Sequence, residues 1–173
     1  MPFYLRRITK SRWYKINPPP SWLLQNEIPA QPLADVVPRP DENLSLWRID
    51  DHRSNLNRVA AAIASGREKL DKLDYALFSI AIIDQLGLTV VQSSGNTPDV
   101  DVNSNWHWEI IELTANKAVL LAKELYASAE ITRKLPIAVL GLIQEEIRLK
   151  HLIKTNLNPK LIADLNEGHS DLG

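Results

Sequence analysis

The chain has 173 residues, 20 basic and 21 acidic side chains, 45% hydrophobic residues and no cysteine. This is enough to bury the core of one domain and too apolar for wholesale disorder. It excludes disulfides, cysteine-ligated metals and thiol nucleophiles, and a net charge of −1 argues against a protein that coats nucleic acid along its whole surface.

Charge is unevenly distributed. Arg6, Arg7, Lys10, Arg12 and Lys15 place five positive charges and no acid in the first fifteen residues, among Phe3, Tyr4, Trp13 and Tyr14. The remaining 158 residues are acidic on balance, so residues 1–16 are expected to form a basic, aromatic strand or arm that touches something anionic, docks on a partner, or pairs into the sheet with its arginines against acids of the body. Phe3 to Ile8 reads as a short strand, since aromatic and β-branched residues suit a pleated surface. Its start, MPFYLRR, lacks the apolar run of a signal peptide, and with the absence of cysteine this predicts a cytoplasmic protein.

Residues 17–43 form a second region, a proline-rich strap. Asn17 to Pro40 holds seven of the eleven prolines, including Pro18, Pro19 and Pro20, which favours extended backbone. Trp22, Leu23, Leu24, Ile28 and Val36 are too apolar for a free linker, so the strap is expected to lie across the body with Trp22 as its anchor.

Residues 44–167 are expected to form the body and 168–173 a frayed tail, within a single domain. Leu44 to Ile49 reads as a strand with Leu44 and Leu46 on one face, and pairs naturally with the first strand. From Ser54, a suitable N-cap, the stripe Leu56, Val59, Ala60 and Ile63 predicts a helix ending near Gly66. Leu70, Leu73, Leu77 and Ile80 predict a second helix from about Lys69 to Gln85, closed by Gly87. Leu88 to Val91 suits a short strand, and Gln92 to Asn105 reads as a polar loop. The longest helix is expected from about Trp106 to Ser128, central in the core because it is apolar on much of its circumference. Pro136 opens a further helix to about Ile153, and Pro159 a last one through Leu165. The expected fold is therefore a mainly helical α+β domain: four or five packed helices, a small two- or three-stranded sheet and an irregular proline-rich strap.

No catalytic signature emerges. Asp99, Asp101 and Asn103 begin like a calcium loop, but the glycine and bidentate acid it requires are replaced by Ser104 and Ile110. His107, between Trp106 and Trp108, is a candidate general base; with no second histidine four residues away it forms no zinc-type motif. The six glycines stand apart, so no phosphate loop is present. No metal, cofactor or catalytic residue is assigned. The leading expectation is a non-enzymatic adaptor or subunit of a larger cytoplasmic assembly. It would dock another protein through Trp22, Trp47, Trp106 and Trp108, with Arg6, Arg7, Lys10, Arg12, Trp13, Tyr14 and Lys15 available to contact RNA or DNA, and without a membrane. The alternatives are an autonomous nucleic-acid-binding module and an enzyme of unfamiliar type using His107.

Overall fold

A computed structural model describes residues 2–14, 27–39 and 41–167. Its centre is a six-stranded, wholly antiparallel sheet. In chain order the strands are β1 (Phe3–Arg7), β2 (Leu44–Ile49), β3 (Leu73–Ser79), β4 (Thr89–Gln92), β5 (His107–Ile111) and β6 (Glu130–Lys134). Their spatial order is β4-β5-β2-β1-β3-β6. The helices are α1 (Ala30–Leu33), α2 (Leu56–Ser65), α3 (Ala81–Gln85), α4 (Val100–Asn105), α5 (Ala115–Ser128), α6 (Pro136–Arg148) and α7 (Pro159–Glu167). Short 3-10 turns occupy Lys10–Trp13 and Lys154–Asn156.

The expectation of a mainly helical domain with a two- or three-stranded sheet is overturned: 44% of the described residues are helical and 21% lie in strands of one large sheet. Two errors of reading account for it. The predicted 69–85 helix is β3 followed by the single turn of α3. Six consecutive residues of β3, Leu73 to Phe78, are buried because both faces of the sheet are covered. Such a strand loses its alternation, and Leu70, Leu73, Leu77 and Ile80 then imitate helical spacing. The predicted 106–128 helix is β5, a turn, and α5. Glu112 breaks it at φ 53°, and Thr114 caps α5 by accepting from the Lys117 amide. Within the predicted 92–105 loop, Asp99 caps α4 in the same way, through Val102.

Other expectations hold locally. β1 pairs with β2 in antiparallel register, Phe3 opposite Ile49 and Leu5 opposite Trp47. α2, α6 and α7 lie where their stripes and opening prolines place them. Ser54 does not cap α2; its hydroxyl bonds the Asp50 carboxylate instead.

The sheet divides the core in two. On one face Leu5, Trp47, Ile49, Leu73, Tyr75 and Leu77 meet α2, α6 and α7. On the other, Tyr4, Leu44, Leu46, Ala76 and Phe78 meet α1, α3 and α5, with Val36 of the strap. A sheet buried on both sides by helices is a three-layer arrangement. Among the described residues no helix is long and apolar enough to cross a membrane.

β1 is thus a central strand, hydrogen-bonded to β2 on one side and β3 on the other. Leu5 is fully buried within it. Leu5→Ala should cost about 3 kcal/mol of unfolding free energy by urea denaturation. A freely extended arm would lose almost nothing on the same substitution.

Candidate anion-binding cleft

β1 ends at Arg7, beside the start of β2 and the start of β3. Alternation along β1 sends Arg6 toward the α1 side and Arg7 toward the α2 side. Between these ends lies a cleft of about 500 Å³, lined by residues that include Arg6, Arg7, Arg39, Arg67 and Lys72 together with Asp35, Asp71 and Asp74. Trp47 of β2 and Thr9 complete much of its wall.

The acids here are largely committed. The Asp35 carboxylate accepts from the Thr9 amide (2.9 Å), the Trp13 indole (2.8 Å) and Arg12 (2.9 Å). Asp74 accepts both arms of Arg133, at 2.7 and 2.8 Å, and the Lys10 amide at 3.0 Å. Burial alone would raise the Asp74 carboxyl, but the Arg133 and Lys10 bonds hold it below its ordinary value. Neither Arg12 nor Arg133 lines the cleft.

The bases are differently placed. Arg6 donates to two backbone carbonyls, Nε and Nη2 to Asp35 and Nη1 to Ser45. Burial lowers its guanidinium to about 10; the charge of Asp35 opposes this and that of Arg7 adds to it. Arg67 follows the end of α2 and donates Nη1 to the Lys72 carbonyl at 2.6 Å. Burial, and then the charge of Arg7, lowers its guanidinium too. Its Nε is buried with no acceptor among the described residues, and so is Nε1 of Trp47. Arg7 and Lys72 are exposed, and neither side chain has an ion-pair partner among the described residues.

The sequence-derived candidates separate accordingly. Arg6 and Arg7 meet in the cleft, whereas Arg12 and Trp13 are bound to Asp35 beside it. Lys10 contributes its amide to Asp74. Tyr14 is 58% exposed. Lys15 and Trp22 lie outside the described residues. Trp47, 9% exposed, is a wall of the cleft. Trp106 and Trp108 are half-buried away from it, under the guanidinium groups of Arg58 and Arg48 respectively. Sequence reasoning missed Arg67 and Lys72, which stand in the charge-rich run after Gly66, Lys72 within the predicted 69–85 helix.

His107 sits behind Trp47. It is 4% exposed, its ring lies edge-on to the Trp47 ring at 5.2 Å, and its Nδ1 meets the Ser93 hydroxyl at 2.9 Å. Its partner is therefore a hydroxyl rather than a carboxylate. Gly95 packs so closely that an added Cβ would stand 2.8 Å from Asn103 Oδ1 and 3.1 Å from His107. Among the described residues no three histidine, aspartate or glutamate side chains converge as a metal ion requires. Comparison with protein-family models, with curated proteins and with solved structures finds no match for this chain.

Burial lowers the His107 imidazole below its ordinary value, against opposing contributions from Ser93 and Glu109. The unfolded chain therefore binds this proton more readily than the folded one, and the stability due to the neutral ring is present above about pH 6.5 and lost as the pH falls. In urea denaturation the wild-type protein should lose its stability advantage over His107→Gln between pH 7.5 and 5. A constant difference across that range would show that His107 does not titrate on unfolding.

Proposed function

We propose that the protein is a non-catalytic adaptor or subunit of a larger cytoplasmic assembly, and that the cleft at the end of β1 receives an anionic group of its partner. The supporting observation is the excess of positive charge there. Five basic residues line the cleft against three acids; two of those acids are bonded to Arg12 and Arg133 from outside it, and one base, Arg39, pairs with Glu42 outside it. Elsewhere arginines are matched: Arg58 with Asp99 and Asp101, Arg53 with Glu130, Arg148 with Glu145. A local basic site on a chain of net charge −1 suits recognition of one anionic group better than coating of a long polyanion. The half-buried rings of Trp106 and Trp108 lie on opposite faces of the sheet and offer separate further contacts.

The second reading is an autonomous nucleic-acid-binding module. Arg7 and Tyr14 favour it, because both are exposed at the basic end of the chain. An enzyme built on His107 has less support, since that ring is packed against Trp47 and bonded to a hydroxyl.

The test is charge reversal at Arg7 and Lys72, exposed positions where a change should alter folding stability by no more than about 0.5 kcal/mol. Native mass spectrometry of the wild-type protein, gently purified from its source cells, should show a partner in fixed stoichiometry, lost as ionic strength rises. Arg7→Glu with Lys72→Glu should run at the bare mass of the chain. A complex that survives the double reversal, or a wild-type protein that carries no partner, would overturn the proposal.

A further inference from the structure

We infer that the cleft binds the phosphate monoester of a nucleotide, free or at the end of a strand, through Arg7, Arg67 and Lys72 with Trp47 in its wall. This rests on reading the cleft as an anion site and names the anion.

Charge is the first argument. The lining has two more bases than acids; Asp35 and Asp74 are neutralised from outside, as is Arg39 by Glu42, which leaves Arg6, Arg7, Arg67 and Lys72 against Asp71. A carboxylate, or a phosphodiester inside a strand, brings a single negative charge. A phosphate monoester brings about −1.5 to −2 near neutral pH, on three strongly accepting oxygens. Arg7 bears on both of its neighbours, lowering the proton affinity of Arg6 and Arg67, and a bound dianion would relieve that repulsion.

Donor supply is the second. Two residues of the cleft wall, Trp47 and Arg67, each hold a buried N–H without an acceptor among the described residues. Both of these atoms are covered by protein, so the donors open to a ligand oxygen are those of Arg7 and Lys72, exposed and without an ion-pair partner among the described residues. Arg67 is held by the bond of its Nη1 to the Lys72 carbonyl and its Nε is covered, which leaves Nη2 as its remaining donor for a phosphate oxygen. Arg6 is already used by two carbonyls and acts through its charge.

Size and surroundings supply the third. About 500 Å³ is far more than an inorganic phosphate fills and lies within the range of small-molecule sites. Close to the rim stands Tyr14, exposed, with its carbonyl held by the Tyr126 hydroxyl and one residue beyond Trp13, which bonds Asp35 of the wall. Tyr14 does not itself line the cleft, but an exposed ring one residue from a side chain bonded to the wall is a surface on which a base carried out of the cleft would stack. The acidic balance of the remaining chain disfavours contact along a strand and leaves its end.

The test is calorimetric titration and thermal shift at constant ionic strength with inorganic phosphate, AMP, adenosine and sulfate, and with one oligonucleotide carrying either a 5′-phosphate or a 5′-hydroxyl. Phosphate and AMP should stabilise the protein saturably, AMP more tightly, and adenosine should not. AMP affinity should rise between pH 5.5 and 7.5, as the monoester loses its second proton near pH 6. Arg67→Gln and Arg7→Gln should each weaken AMP at least tenfold; Arg7→Gln, at an exposed position, carries the test if Arg67→Gln does not fold. Binding of AMP without the 5′-phosphorylated strand identifies a free nucleotide, and binding of both identifies a strand end as well. Adenosine equal to AMP, sulfate equal to phosphate, no saturable response, or AMP binding unchanged in Arg7→Gln would each overturn the inference. So would a phosphoserine peptide that binds where AMP does not. Should the partner complex depend on Arg7 and Lys72 while phosphate and AMP fail, the phosphoryl assignment falls alone. Should both fail, the anion cleft itself falls.

Discussion

The arrangement depends on how Arg6 is held. Its guanidinium emerges from a central strand into a half-buried position, where a carboxylate partner would have cancelled its charge. It donates instead to the carbonyls of Asp35 and Ser45, so that its hydrogen bonds are met while its charge remains. The same bonds fix the segment around Asp35 against the end of the sheet. Once fixed, the Asp35 carboxylate gathers the Thr9 amide, the Trp13 indole and Arg12, which folds the chain after β1 back over the rim. Asp74 does the corresponding work on the other side, joining Lys10 to Arg133 of the edge strand β6. Two aspartates thus shape the rim, and the positive charge is left inside it.

How far this was legible in the sequence follows from which residues are exposed to two environments and which to one. β2, though covered on both faces, still sets Ser45 and Arg48 among its apolar residues, and α2, α6 and α7 show their stripes because each has one wet side. β3 has none, so periodicity misassigned it. β5 and α5 were merged because nothing in the run from Trp106 to Leu113 carries glycine or proline, and the break falls on Glu112 in a left-handed conformation that a non-glycine residue seldom adopts. β6, with Glu130, Arg133 and Lys134 in five residues, reads as a charged connection, although charge is what keeps an edge strand from pairing with another chain. Of the cleft, Arg6 and Arg7 were evident from the charge asymmetry of the first fifteen residues. Arg67 and Lys72 were not, since only the sheet brings the end of α2 and the start of β3 beside β1. Trp47, singled out as a docking residue, stands in the cleft wall.

The contrast among the arginines separates this cleft from ordinary surface charge. Arg58 lies between Asp99 and Asp101 while covering the Trp106 ring, and those carboxylates raise its proton affinity. Arg133, bonded to Asp74, is shifted the same way. Arg6 and Arg67 are shifted in the opposite direction, with burial the principal cause and Arg7 contributing to each. Matched guanidiniums hold elements together at small net gain. Unmatched ones beside one another oppose folding until a counter-charge arrives.

The unmet donors carry the argument one step further. An N–H buried without an acceptor costs about 1–3 kcal/mol, and most folded proteins avoid it. Of the three side chains that bear that cost among the described residues, Trp108 lies away from the cleft, whereas Arg67 and Trp47 both line it. Neither is a accident of the periphery: Trp47 belongs to a strand in the middle of the sheet, packs edge-on to His107, and through it adjoins the Ser93 hydroxyl in the loop after β4. Repositioning the indole to find a protein acceptor would disturb that contact, and repositioning Arg67 would free the Lys72 carbonyl at the entry to β3. Both N–H groups are covered by the protein itself, so an anion in the cleft acts on them through its charge, and its direct donors are the exposed Arg7 and Lys72.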